Sequence, residues 1–156
     1  MRIFLQSIII FNLLLLFVAC STTEEETKKK EKIVPDKITM LFVTQPNCPS
    51  CDKLEETMRL ERPKALIDRY FKIKKIYLGK PIPPNLPPPN GTPTVYFVGS
   101  DNEALVEPIV GEKSESELME FLEDSFYEFN LTYGVDIREL YRQRENNETN
   151  QSTIDH

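Results

Sequence analysis

Three cysteines stand in the 156-residue chain, and two of them are separated by only two residues, in Cys48-Pro49-Ser50-Cys51. Thiols at this spacing can close to a disulfide and reopen. Proline suits the first position of a helix, where its missing N–H costs nothing. A helix starting at Pro49 puts Cys48 at its N-terminus, where free backbone N–H groups and the helix dipole favour a negative sulfur. Such placement lowers a cysteine pKa from about 8.5 to about 3.5–7.5. The thiolate is the attacking species in disulfide exchange. Cys51, one turn on, can reach back and resolve the mixed disulfide. Two blander readings stand beside this one. A structural zinc site needs four ligands, and with Cys20 set aside for the lipid reading given below the chain offers this pair and one terminal histidine, His156. A purely structural disulfide across so short a loop gains little chain entropy. A single histidine also leaves no Ser-His or Cys-His catalytic pair to assemble.

The neighbouring residues must build the corner that holds this pair. Residues 37–44, Lys-Ile-Thr-Met-Leu-Phe-Val-Thr, form a continuous apolar run of the kind found in a central strand. Gln45-Pro46-Asn47 reads as a loop. Cys51, Leu54, Glu55 and Met58 then follow at helical spacing. Pro63 can open a second short helix over residues 64–70, and residues 71–78 read as the next strand, parallel to the first across a helical crossover. Val95 to Val98 is a third strand. Gly99-Ser100-Asp101-Asn102 is a turn, and residues 104–110 are expected to return antiparallel, at an edge because of Pro108. Ser114 and Glu117 have capping-box spacing. Leu118, Phe121, Leu122, Ser125, Phe126 and Phe129 then make one core-facing stripe. Seven of the twelve prolines fall between Pro81 and Pro93, so residues 79–90 cannot be helical. That stretch is expected to be an extended loop, serving either as a stiff connector or as a partner-docking segment.

The strand, Cys48-Pro49-Ser50-Cys51 and the helix resemble the active-site corner of the thioredoxin superfamily. A second resemblance is Gly91-Thr92-Pro93-Thr94-Val95-Tyr96-Phe97-Val98, where that family opens a strand with a cis proline. A third is Val110-Gly111-Glu112-Lys113-Ser114, similar to the turn before the last helix. The resemblance covers residues 34–129. It implies an α/β, thioredoxin-like fold: a central mixed β-sheet flanked by helices, with the Pro-rich loop replacing one helix. It also implies a thiol:disulfide oxidoreductase without cofactor or metal. In that reading Cys48 attacks, Cys51 resolves, Pro49 and Ser50 complete the motif, and Thr92 and Pro93 present backbone groups to the partner. The chain departs from cytoplasmic thioredoxins in two places. Phe42 stands where they carry a buried acid, and Asn47 where they carry tryptophan. Membrane-tethered reductases of the periplasm fit best. Three alternatives are a disulfide oxidase or isomerase, a non-catalytic module docking a partner through the Pro-rich loop, and a copper-handling protein. The lack of a nearby histidine speaks against the last.

With 40% hydrophobic and 28% charged residues, the composition is that of a globular chain, long enough for one domain with tails. A net charge of −6 argues against nucleic acid as a partner. Met1-Arg2 followed by a mostly apolar run to Val18 reads as an export signal, or as an uncleaved anchor. Phe17-Val18-Ala19-Cys20 resembles the lipobox of bacterial lipoproteins. That resemblance implies a signal over residues 1–19, lipid on Cys20, and a domain facing the periplasm of a bacterial envelope, anchored to a membrane. Residues 20–33 would be a charged, flexible tether, with Glu24-Glu25-Glu26 before Lys28-Lys29-Lys30. The domain proper is expected over residues 34–130. Residues 131–156 are expected to be a polar tail, largely disordered, with one or two helical turns near residues 136–141. Asn130, Asn147 and Asn150 each open an Asn-x-Ser/Thr triplet with an acid two residues before, resembling bacterial glycosylation sequons. Asn147 and Asn150 are favoured because they are expected to lie in unfolded chain. Expected partners are exported proteins with cysteines or disulfides, and a membrane thiol electron donor.

Overall fold

The computed structural model describes residues 32–152, with side chains as far as residue 147. The expected signal, Cys20, most of the tether and the Asn150 side chain lie outside the described residues. The compact unit begins at Lys32. Its elements are β1 (Ile38–Thr44), α1 (Pro49–Met58), α2 (Glu61–Tyr70), β2 (Phe71–Tyr77), β3 (Thr94–Val98), β4 (Ile109–Val110), α3 (Glu115–Tyr133) and α4 (Ile137–Ser152). The sheet order is β2-β1-β3-β4. β1 and β2 run parallel, and the other two pairings are antiparallel.

Strand alternation divides the core in two. Ile38, Met40 and Phe42 of β1 and Val95 and Phe97 of β3 point to one face. There they meet Leu54 and Met58 of α1, Ile67 of α2, and Leu118, Leu122, Phe126 and Phe129 of α3. Leu41, Val43, Tyr96 and Val98 point to the other face. No helix covers that face among the described residues; the Pro-rich loop does. Leu86 is buried against it, Ile82 packs beside it, and the Tyr96 hydroxyl donates to the Pro87 carbonyl at 2.7 Å. β1 is thus covered on both sides, which accounts for its unbroken apolar sequence. Its partner β2 is an edge strand, and Lys72, Lys74 and Lys75 on it guard against unwanted pairing.

Local signals place the helix ends. Ser114 and Glu117 form a reciprocal capping box at the head of α3. Gly134 ends that helix at φ 71°, a conformation glycine adopts without strain. α2 starts at Glu61, so Pro63 sits inside its first turn, where no intrahelical N–H is needed.

Two expectations are corrected. The return strand over residues 104–110 shrinks to Ile109–Val110 plus one bridge between Val98 and Ala104. Pro108 has no N–H to give a longer ladder. The tail expected to be disordered is helical from Ile137 to Ser152. Ile137 is fully buried, and Leu140 and Tyr141 pack against the main core. Tyr141 meets Tyr70 edge to face with ring centroids 5.3 Å apart. Arg138 pairs with Glu123 at 3.0 Å and Arg144 with Asp36 at 2.6 Å, while Arg69 pairs with Glu145. A helix held by one apolar stripe and paired charges looks, residue by residue, like a polar tail.

The chain enters the domain at the far end of β3. Lys32 pairs with Asp101 at 2.6 Å, and the Ser100 hydroxyl donates to the Ile33 carbonyl at 2.5 Å. The Tyr133 hydroxyl accepts the Ser100 N–H at 2.8 Å. A Cβ on Gly99 would stand 2.0 Å from that hydroxyl oxygen, so any larger residue there would displace Tyr133 from this contact.

Candidate thiol–disulfide site

β1 ends at Thr44, and the chain turns through Asn47, whose φ of 55° is tolerated by asparagine. Cys48 follows as the N-cap of α1, with Pro49 at the first helical position. Its carbonyl accepts the N–H groups of Cys51 and Asp52 at 3.0 and 3.1 Å. Its sulfur accepts the Cys51 N–H at 3.2 Å, as a capping oxygen would. Cys48 and Cys51 are joined in a disulfide with Cα atoms 5.2 Å apart. Cys48 is 7% exposed and Cys51 2%, so Cys48 is the less buried of the two.

The facing wall comes from far along the chain. The Thr92–Pro93 peptide is cis. The Thr92 hydroxyl lies 3.5 Å from the Cys48 sulfur and is the donor, since a disulfide sulfur carries no hydrogen. The loop is held by the Thr94 hydroxyl, which donates to the Gly91 carbonyl at 2.8 Å. The Gly111 N–H donates to the Pro93 carbonyl at 2.9 Å. Two loops therefore meet at the sulfur, residues 45–48 and 91–93, and a third, residues 111–113, backs the second through Pro93.

The third loop brings charge. Glu112 pairs with Lys53 of α1 at 3.2 Å. Lys53, and then the Ser50 hydroxyl, hold the Glu112 carboxyl below its usual range. Sequence spacing gave no hint of this pair, because nothing local links residue 53 to residue 112. Behind α1, Phe42 is fully buried and adds no ionisable group. Lys75 lies 5.9 Å from the centre of its ring and pairs with Glu55 at 2.6 Å.

Cys48, Pro49, Ser50, Cys51, Thr92 and Pro93 thus come together. Asn130 and Asn147 do not join them. Both are exposed, Asn130 near the end of α3 and Asn147 on α4, so Asn147 is helical rather than in the unfolded chain expected for it. Among the described residues, no group of three or more His, Cys, Asp or Glu could hold a metal ion. No helix among them is long and apolar enough to cross a membrane. Chemically, the arrangement can exchange disulfides: a sulfur at a helix N-terminus, a resolving thiol one turn on, and a facing hydroxyl donor.

No protein-family model and no curated protein matches the chain. Among solved structures, the chain is similar to the periplasmic thioredoxin SoxS from Paracoccus pantotrophus in its reduced form. The TM-score is 0.48 and the identity 19%, over 59% of this chain and 98% of that one. It is also similar to a thioredoxin from Thermus thermophilus, with TM-score 0.43 and 18% identity over 56% and 72% of the two chains. A disulphide isomerase from Xylella fastidiosa Temecula1 gives TM-score 0.36 and 21% identity over 70% and 79%. On its own sheet order, its Cys48–Cys51 pair at the head of α1 and its cis Pro93 opposite, the chain has a thioredoxin-like fold.

Proposed function

We propose that the protein is a thiol:disulfide oxidoreductase acting on exported proteins, working as a reductant and tethered through Cys20 to a bacterial envelope membrane. The observation that carries the activity is the Cys48–Cys51 pair at a helix N-terminus, facing Thr92 and cis Pro93. In the reduced protein the Cys48 thiolate attacks a partner disulfide. The partner S–S bond breaks, and its leaving sulfur takes up a proton. The Cys51 thiolate then attacks the Cys48 sulfur and expels the second partner thiol. Two electrons pass to the partner, and the Cys48–Cys51 disulfide is left behind. A membrane thiol donor returns the pair to the dithiol. The tether and the periplasmic location rest on residues 1–20, and the reductive direction on the family resemblance.

Docking through the Pro-rich loop is less well supported, because Leu86 and the Pro87 carbonyl are already engaged by the sheet. The test is to equilibrate the full chain, in detergent, against glutathione and read the oxidised fraction. A potential near about −270 mV identifies a reductant, and one near about −120 mV an oxidant, which would overturn the direction proposed. Cys48→Ser is expected to abolish turnover. A Cys48→Ser chain that keeps its biological activity would leave a binding module as the better reading.

A further inference from the structure

The turn after β4 is stitched to both sides of the thiol site. Gly111 donates to the Pro93 carbonyl at 2.9 Å, and the Thr57 hydroxyl of α1 donates to the Lys113 carbonyl at 3.0 Å. Lys113 folds back so that its Nζ donates to the Val110 carbonyl at 2.8 Å. Glu112 is thereby held against α1, with its carboxylate 3.2 Å from the Lys53 ammonium. Lys53 lies two residues beyond Cys51. The second group holding the Glu112 carboxylate is the hydroxyl of Ser50, inside the Cys48-Pro49-Ser50-Cys51 motif itself. The side chains of Lys53 and Glu112 are 63% and 44% exposed. An ion pair this exposed adds little to stability, so holding the fold together does not explain it. Its two charges nevertheless flank the Cys48-Pro49-Ser50-Cys51 segment, Glu112 through Ser50 and Lys53 two residues past Cys51, and that segment holds the one atom whose charge changes during exchange.

We infer that Glu112 and Lys53 act through Cys48 as an opposed pair that sets how stable its thiolate is. This rests on the oxidoreductase reading above. Reducing the disulfide consumes two electrons. It consumes one proton rather than two when Cys48 is left as thiolate, so a new negative charge appears on its sulfur. Glu112 repels that charge and Lys53 attracts it. The turn of residues 111–113 keeps the two in balance, and losing either one exposes the other.

The test uses the full chain in detergent as wild type, E112Q, K53M and the double variant. The Cys48 pKa is read from the pH dependence of alkylation, and the equilibrium with glutathione from the oxidised fraction. Far-UV circular dichroism confirms folding. E112Q is expected to lower the Cys48 pKa and raise its thiolate-to-thiol ratio about threefold. The glutathione equilibrium should move toward reduced protein by a similar factor, about 14 mV for two electrons. K53M should shift both readings the other way, and the double variant should return close to wild type. Added salt should shrink each shift, because both charges are exposed. Unchanged readings in E112Q and K53M, or shifts of the same sign, overturn the inference while leaving the oxidoreductase reading intact. A wild-type pair that never exchanges with glutathione overturns both.

Discussion

The Cys48 sulfur accepts two hydrogen bonds of different origin. The Cys51 N–H, at 3.2 Å, is local and belongs to the helix cap. The Thr92 hydroxyl, at 3.5 Å, comes from 44 residues away and belongs to the tertiary fold. Both donors would serve a thiolate better than a thiol, since hydrogen bonds to charged groups are the stronger ones. Thr92→Val keeps the side-chain shape and removes the distant donor. It is expected to raise the Cys48 pKa by about one unit, measured from the pH profile of alkylation. An unchanged profile would mean that the hydroxyl does not serve the thiolate. The thiol pair and its cap were legible in the sequence, because spacing and Pro49 are local properties. Thr92 and Pro93 were legible only through family resemblance, and Lys53 and Glu112 not at all.

At the scale of elements, the Pro-rich loop does the work of a helix. Tyr96 and Val98 face away from α1, α2 and α3 and would be wetted without residues 82–87. Leu86 is the anchor, at 6% exposure. Leu86→Ala is expected to cost about 2 kcal/mol of stability, at the low end for a buried leucine because an irregular loop can partly collapse. Denaturant unfolding followed by tyrosine fluorescence measures this. A loss under a few tenths of a kcal/mol would show that the loop is only a connector. α4 teaches a related lesson. Among its described side chains, Ile137, Leu140 and Tyr141 make its apolar ties to the core, and the others are charged or polar. Its apolar content is too small to stand out against a polar tail until Tyr70 and Phe126 supply the other side of the contact.

Across the whole molecule, the entry point and the thiol site lie at opposite ends of the sheet. β3 starts at Thr94, beside cis Pro93, and finishes at Val98, beside the turn that holds Lys32 and Ile33. Lys32 and Cys48 therefore stand toward opposite ends of the sheet. The clasp itself is sensitive to pH. Burial works to raise the Asp101 carboxyl, but Lys32 and the Glu103 N–H together outweigh it and leave it below its usual range. A carboxyl depressed in the folded state stabilises fully above its unfolded pKa, and that contribution is lost as pH falls through the folded value. The clasp should therefore hold at neutral pH and weaken progressively below about pH 4. Amide exchange of residues 32–34 and 99–103 checks this. The expected result is faster exchange in acid than base chemistry predicts, with Asp101→Asn already fast at neutral pH. Equal protection in both would refute the clasp.

By itself the sequence determined whatever depends on neighbours a few residues apart. The helix begins at Cys48 because Pro49 suits its first turn, α3 begins at Ser114 because Glu117 caps it in return, and β1 is central because it is apolar on both faces. The tertiary structure alone decided which loops reach the sulfur, what covers the second face of the sheet, and that residues 137–152 are helical. Those outcomes depend on groups such as Cys48 and Thr92, or Lys53 and Glu112, that no local pattern joins. Only the antiparallel placement of β3 between β1 and β4 brings their loops to one end of the sheet.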